Sequence, residues 1–403
     1  MLARDGEQVR PVVDVRPYAA DDADLYVVSD LGVGLGGVRG PVPADHVLGV
    51  GGASTTLAQI TVRPEADRAL DIGTGCGVQA LHLARHARHV VATDRNPRAL
   101  ALAHLSAGLS STDLELREGS LYEPVAGERF DLVVSNPPFV VAPTARFAYR
   151  DSGLPGDEVC RRLVDGAPQH LADGGWCQLL ASWLHVEGED WRERVAGWVV
   201  PTGCDAWVVQ REVQDPTEYA ELWLRDSGEH GTPGYERAYA DWLDAFAALR
   251  VVGVGFGWIT LRRSGSADPF VRIEELRHQV EQPVGAAVQG WFARQDLLRE
   301  LSDEGLRGAR LVVDPDVRLD QEVEPGQGGP VVTALRLRQT RGLRRSGSLD
   351  PVGAAVVERC DGTRTLGTVL EEVAARYGLD PDDVAEGALS AVRDLVADGF
   401  LVA

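Results

Sequence analysis

Phe130-Asp131-Leu132-Val133-Val134-Ser135-Asn136-Pro137-Pro138-Phe139 is the stretch that decides how the rest of the chain is read. Its first half is a short apolar run of the kind buried on both faces of a parallel sheet. A strand there delivers Asn136 to Phe139 to its carboxyl end, where open α/β sheets bind their ligands. The four residues suit one kind of reacting atom. The Asn136 amide carbonyl can accept a hydrogen bond from an NH2 group. Pro137 has no N–H to give but keeps an accepting carbonyl. Two successive prolines stiffen the loop, and Phe139 offers a flat face for a planar group. Together they fit a planar amino or amide nitrogen, with Asn136, Pro137 and Phe139 as candidate catalytic residues. An ordinary Asn-Pro turn is the alternative.

Upstream, Ala69-Leu70-Asp71-Ile72-Gly73-Thr74-Gly75-Cys76-Gly77-Val78 is an apolar strand ending in Asp-x-Gly-x-Gly-x-Gly, with a helix expected over Val78 to Arg88. The glycines permit a tight turn and let a ligand approach without a Cβ in the way. A dinucleotide site has similar spacing. Here, however, an acid precedes the first glycine, and the last two glycines are one residue apart rather than two. His89 to Asp94 is a second strand. It ends in a carboxylate some twenty residues after the glycines, a spacing that suits the hydroxyls of a ribose. Asn96-Pro97 opens a helix through Leu105, with proline at its first position. Leu114-Glu115-Leu116 is a third strand, followed by Gly119-Ser120-Leu121-Tyr122.

Asn136-Pro137-Pro138-Phe139 at a strand end, with Asp71 to Gly77 upstream, resembles the signature of class I S-adenosylmethionine-dependent N-methyltransferases. That group includes the protein glutamine N5-methyltransferases, the adenine N6-methyltransferases and the ribosomal RNA guanine N2-methyltransferases. The resemblance covers about half of the chain. It implies an α/β fold: a doubly wound, Rossmann-like, seven-stranded methyltransferase sheet. It also implies S-adenosyl-L-methionine as cofactor, held by Asp71, Gly73, Thr74, Gly75, Gly77, Asp94, Ser120, Leu121 and Asn136. Close relatives often have Gly-Asp where Gly119-Ser120 stands, and a serine hydroxyl is the weaker acceptor. The loop His46 to Thr56 corresponds to a segment lying over the methionine end of the cofactor. Its other reading is a plain helix start capped by Ser54 or Thr55.

The stretch Gly119 through Phe139 looks most like the glutamine methyltransferases. A protein or peptide, through a glutamine side chain, is therefore the expected acceptor. An exocyclic base amine of ribosomal RNA or DNA is the alternative, and a non-catalytic peptide-binding protein is a reading from another class. Many relatives of the glutamine type carry a helical substrate-binding domain ahead of the catalytic one; little or none of it is expected here.

Composition narrows the choice. The chain has 403 residues and a formal charge of −21. Such an acidic chain is a poor general ligand for nucleic acid, whose phosphates ask for cations. All 40 basic residues are arginine, which excludes chemistry needing a lysine, such as Schiff bases and the P-loop. The five cysteines are scattered and never form Cys-x-x-Cys, which argues against a disulfide framework or structural zinc. His82, His86 and His89 are read as a solvated helix face, and no metal is expected. There is no signal-peptide core and no membrane-length apolar run, so a soluble cytoplasmic protein is expected.

Four segments are expected: an N-terminal extension (1–45), the catalytic domain (46–263), an accessory α+β region (264–341) and a winged-helix-like domain (342–403). In the first, Tyr26-Val27-Val28 is a strand candidate and the run Gly32 to Gly40 a turn or hairpin. Val140 to Asp157 is a polar loop, either a substrate lid or a plain connection. Pro216 to Leu249 is a helical insertion rich in aromatic residues, read as core rather than binding surface. Ser264 to Pro269 marks the boundary. The helices Ala354 to Cys360, Thr365 to Tyr377 and Pro381 to Asp398 resemble a PqqD-like winged helix. Acids outnumber arginines there, which disfavours DNA.

Overall fold

The computed structural model describes residues 2–5, 8–20, 23–32, 43–143, 151, 153–327 and 329–402. The chain divides into two units, Met1–Arg277 and His278–Ala403. The first begins with two hairpins, β1 (Leu2–Asp5) with β2 (Gln8–Pro11) and β3 (Asp14–Ala20) with β4 (Ala23–Ser29). Then follow α1 (Gly52–Ile60), β5 (Ala66–Ile72), α2 (Val78–Leu83), β6 (Ala87–Asp94), α3 (Pro97–Leu109), β7 (Glu115–Glu118) and β8 (Phe130–Ser135). The unit closes with α4 (Glu158–His170), β9 (Leu171–Val186), α5 (Trp191–Val199), β10 (Asp205–Gln214), α6 (Pro216–Asp226), α7 (Tyr235–Ala248), β11 (Val251–Arg262) and β12 (Val271–Glu275).

One sheet of eight strands organises this unit, in the order β12-β10-β11-β9-β8-β5-β6-β7. From β9 to β7 all neighbours are parallel, while β11 runs antiparallel to both β9 and β10. The chain leaves β5 towards β6 and β7, then crosses back to β8 on its other side. That reversal opens a crevice at the carboxyl ends of β5 and β8. The inner parallel strands β5 and β8 are apolar because both faces are covered: Ala69, Leu70, Phe130, Leu132 and Val133 are fully buried.

Seven strands were expected and eight are present. The eighth, β12, adds parallel to the outer edge of β10. Ser264 to Pro269 is therefore the connection between β11 and β12 inside one sheet, and the unit runs past 263 to Arg277. Helix α2 stops at Leu83, short of the expected Arg88, because Ala87 already pairs with Ala66 in the sheet. His86 and His89 thus leave the helix, and the three histidines share no helix face. His82 instead meets the Tyr18 hydroxyl through Nε2 at 3.0 Å.

The N-terminal segment belongs to the same unit. Leu25, Val27 and Val28 pack with Leu81, Ala99 and Leu102, and the Val28 N–H donates to Ser106 Oγ at 2.9 Å. The run after Gly32 up to Gly40 lies outside the described residues, as do 144–150 and 152 of the expected lid. In the insertion, Tyr219, Trp242 and Phe246 are buried with Leu184, Val251 and Val254. On β11, a Cβ at Gly255 would sit 2.5 Å from Trp183 Nε1 and 2.4 Å from Gln210 Oε1. The glycine makes room for the buried Trp183, whose indole N–H donates to Gln210 at 2.8 Å.

The second unit contains α8 (Gly285–Glu300), α9 (Asp303–Gly308), β13 (Val312–Val313), β14 (Val317–Gly326), β15 (Gly329–Gln339), β16 (Ser346–Leu349), α10 (Pro351–Arg359), α11 (Leu366–Tyr377), α12 (Pro381–Ala397) and β17 (Leu401–Val402). β14, β15 and β16 form one antiparallel sheet, and β17 pairs with β13. Leu306 and Leu311 share a core with Leu366, Val369, Val396 and Leu401. Segments expected to separate at 341/342 thus fold around common apolar residues. The five cysteines are free and buried. Among the described residues no helix is long and apolar enough to cross a membrane.

Candidate active site

At the end of β5 the chain turns through Gly73, Gly75 and Gly77, whose φ angles are 74°, 54° and 87°. L-residues with a side chain rarely adopt such values. The Gly73 and Thr74 N–H groups both donate to the Thr93 carbonyl at 2.9 Å, tying the turn to β6. A Cβ on Gly77 would lie 3.2 Å from Ala103 Cα, whereas a Cβ on Gly73 or Gly75 would meet nothing within 4 Å. Gly77 is thus needed for packing on α3, and Gly73 and Gly75 keep a cavity open.

Asp71 lies fully buried beneath this turn. Its Oδ2 accepts from Thr74 Oγ1 at 2.6 Å and from the Ala80 N–H at 3.1 Å. Its Oδ1 is buried with no hydrogen-bond partner. Burial pushes the carboxyl up to about 7, against the hydrogen bonds from Thr74 and Ala80 and with a further push from Asp94. A buried carboxylate oxygen left unpaired is costly, and a cationic ligand group at the turn would offset that cost. Asp94 ends β6. Its Oδ2 accepts from the Gly75 N–H at 2.9 Å and its Oδ1 from the Asn96 N–H at 2.8 Å. Burial raises its carboxyl as well, with the backbone donors opposing. Each Asp94 oxygen retains a lone pair for a ligand hydroxyl.

The loop ahead of α1 and the first turn of that helix are held by three side chains. Asp30 accepts from the Val47 N–H at 2.9 Å. Asn96 Nδ2 donates to the Asp45 carbonyl at 2.9 Å, and Gln79 Nε2 to the Ser54 carbonyl at 2.7 Å. The expected cap by Ser54 or Thr55 is not what starts the helix. Gly51 is the N-cap and makes no side-chain cap. Thr55 lies inside the first turn, where its hydroxyl donates back to the Gly51 carbonyl at 3.2 Å.

On the other side of the crevice, Ser135 Oγ donates to the Ile72 carbonyl at 2.9 Å and locks β8 to β5. The loop beyond it is pinned at three points. The Phe139 N–H donates to the Pro137 carbonyl at 2.7 Å, closing a three-residue turn over Pro138. Ser182 Oγ donates to the Phe139 carbonyl at 2.6 Å. The Val141 N–H donates to the Tyr219 hydroxyl at 2.9 Å.

Both halves open into one cavity of about 630 Å³, a size ordinary for a small-molecule site. Of the residues expected from sequence, Gly73, Thr74, Gly75, Asp94, Ser120, Leu121, Asn136, Pro137 and Phe139 line it. Asp71 and Gly77 do not: one lies under the turn and the other against Ala103. Gln79, Trp223 and Asp226 also line it and were not anticipated. Trp223 belongs to the aromatic stripe read as core, and nothing local in the sequence shows which of those rings reaches the crevice.

A doubly wound sheet with a glycine turn after β5, an acid at the end of β6 and Asn-Pro-Pro-Phe at the end of β8 is a Rossmann-like arrangement with its ligand crevice at the point where the strand order reverses. Residues 49–185 match the family model described as the methyltransferase small domain. Residues 289–403 match a domain of unknown function (DUF7782). The chain is 38% identical over 164 residues to a release factor glutamine methyltransferase of Geobacter sulfurreducens, covering 36% of this chain and 55% of that protein. It is 39% identical over 129 residues to a release factor glutamine methyltransferase of Xylella fastidiosa, covering 29% and 47%. It is 34% identical over 145 residues to a ribosomal protein uL3 glutamine methyltransferase of Bradyrhizobium diazoefficiens, covering 32% and 44%. The chain thus spans about half the length of these relatives.

Proposed function

We propose that this protein is an S-adenosylmethionine-dependent N-methyltransferase whose acceptor is a planar amide nitrogen, that of a protein glutamine side chain. The observation that carries the reading is the single cavity shared by Gly73, Gly75 and Asp94 on one side and Asn136, Pro137 and Phe139 on the other. The open faces of Gly73 and Gly75 leave room for the amino-acid end of the cofactor, and the carboxyl of Asp71 beneath the turn, with one oxygen unpartnered, favours a cationic group above it. Asp94 would take the ribose hydroxyls, and Ser120 and Leu121 the adenine. When bound, S-adenosylmethionine supplies an electrophilic methyl group.

The protein's own residues act on the acceptor. An amide nitrogen is a weak nucleophile because its lone pair is delocalised. The Asn136 side-chain carbonyl and the Pro137 carbonyl accept from its two N–H groups. The Pro137 oxygen has two lone pairs, and the Phe139 N–H occupies one, which fixes the direction of the carbonyl. As the nitrogen gains its substituent, its N–H groups become more acidic and both acceptors hold them more strongly. That difference between ground and transition state is what accelerates a reaction. Phe139 holds the plane of the group so that the nitrogen meets the methyl in line. One proton then leaves the methylated nitrogen, and no base is needed before transfer. The names of the relatives and the −21 charge support a protein acceptor over RNA.

The test is labelling with methyl-tritiated S-adenosylmethionine in a lysate that lacks the endogenous enzyme. Label removed by protease and retained after nuclease is the expected result. Label removed only by nuclease would transfer the reading to a base amine. No label in either fraction would reject a macromolecular acceptor.

A further inference from the structure

Helix α6 lies between β10 and β11, far in sequence from the glycine turn and from Asn136. Its start is fixed by Asp215, whose side chain accepts from the Thr217 N–H at 2.7 Å and the Glu218 N–H at 3.0 Å. One turn in, Tyr219 is fully buried. Its hydroxyl accepts from the Val141 N–H, two residues beyond Phe139. Its ring stacks on Phe256 at 5.6 Å between centroids, and Phe139 meets the same Phe256 edge-on at 6.2 Å. The next turn brings Trp223, 6.1 Å from the Tyr219 ring and on the wall of the cavity. Asp226, at the end of the helix, lines the same cavity. Positions 219, 223 and 226 fall on one helix face. That face runs from behind the Asn136–Phe139 loop to the cavity wall.

We propose that α6 is the acceptor-selecting element of the site. Tyr219 is a positioning residue: it holds the loop whose Asn136 and Pro137 carbonyls receive the acceptor nitrogen. Trp223 determines specificity: the peptide chain beside the methylated glutamine lies on its apolar face, so an apolar neighbour is preferred over glycine. Aromatic side chains are well suited to such a contact, giving a large rigid surface at low entropic cost. The inference rests on the glutamine reading above and extends it from the acceptor atom to the acceptor's neighbours.

The experiment uses the purified full chain and two peptides, acetyl-Ala-Gln-Leu-Ala-amide and acetyl-Ala-Gln-Gly-Ala-amide. Wild-type protein is expected to show a KM for the leucine peptide about tenfold lower, the scale of one apolar contact. Trp223→Ala should erase that preference, and Trp223→Phe should keep part of it. Tyr219→Phe, which keeps the ring and deletes the hydroxyl, should lower kcat about tenfold. It should leave KM, the calorimetric affinity for S-adenosylmethionine and the binding stoichiometry unchanged, whereas simple loss of folded protein would lower the stoichiometry in step with kcat. Equal use of both peptides by wild type and Trp223→Ala would overturn the specificity role while the methyltransferase reading stands. An unchanged kcat in Tyr219→Phe would overturn the positioning role. Methylation of neither peptide by a wild-type protein that binds S-adenosylmethionine would reject the glutamine reading and the inference with it.

Discussion

Under the proposed function, the glycine-turn wall of the cofactor end comes from one stretch of chain, Gly73 to Leu121, whereas the acceptor loop Asn136 to Phe139 is held or flanked by Ser182, Tyr219, Trp223 and Phe256 from three further elements. The first is fixed mainly by backbone: glycines in the left-handed region and N–H groups from Gly75 and Asn96 on Asp94. The second is fixed by side chains, two hydroxyls on a loop and a ring behind it. A backbone-built half keeps its shape through many substitutions, while a side-chain-built half can be retuned one residue at a time. This pairing would suit the proposed methyl transfer, with one donor and an acceptor that can vary.

Four experiments can break or sharpen that contrast. The largest effect is expected from Asn136→Ala. It should lower kcat by about 10²–10³-fold, the usual cost of deleting one transition-state hydrogen-bonding group, while calorimetric cofactor affinity stays at the wild-type value. A matching loss of affinity would show that the two ends are not separable. Asp94→Ala is the reciprocal test. Loss of charge-assisted hydrogen bonds should weaken cofactor binding by about 10–100-fold, and an unchanged affinity would remove Asp94 from the site.

The third concerns pH. Burial pushes the Asp71 carboxyl up to about 7. A cationic ligand group asks for the ionised form, so below pH 7 a proton must leave for the cofactor to bind. Affinity should therefore fall with decreasing pH, by at most about tenfold per pH unit for one proton. It should level off above that point. Asp71→Asn should flatten the profile between pH 5.5 and 7; a slope retained in that variant would assign the titration elsewhere. The smallest effect is on stability. Asp215→Ala removes a true N-cap of α6 and should cost about 1 kcal/mol in urea unfolding. Ser54→Ala, in a helix capped by Gly51, should cost less than about 0.5 kcal/mol. Equal losses would restore Ser54 as a cap.

The same contrast explains what was legible in the sequence. Asp71, the three glycines, Asp94 and Asn136 are read locally, because each stands at the end of an apolar run whose strand fixes where it points. The apolar strands β5, β6 and β8 were legible for the same reason. Less legible was whatever depends on partners far along the chain. The edge strand Val271–Glu275 is short and half-exposed, and only its pairing with β10 makes it a strand. Helix α2 looked longer because sheet pairing by Ala87 overrides a helix-compatible stretch. Trp223 could not be told from Trp242 by spacing, since both are aromatic residues on amphipathic helices and only tertiary packing turns one toward the crevice. The hairpin of Ala23–Ser29 read as an extension because its docking surface, Ser106 and Leu102, lies more than seventy residues on.

The five buried thiols make the molecule a reporter of its own motions. Burial pushes Cys76 and Cys360 up to about 11, and Cys160 and Cys177 up to about 12. A thiol reagent at neutral pH therefore reacts only as fast as the surrounding structure opens. Cys76 sits in the glycine turn itself, Cys177 in the central sheet and Cys360 in the second unit. Labelling rates resolved by peptide would thus time the opening of the turn, the sheet and the C-terminal unit separately, in one sample of unmodified protein.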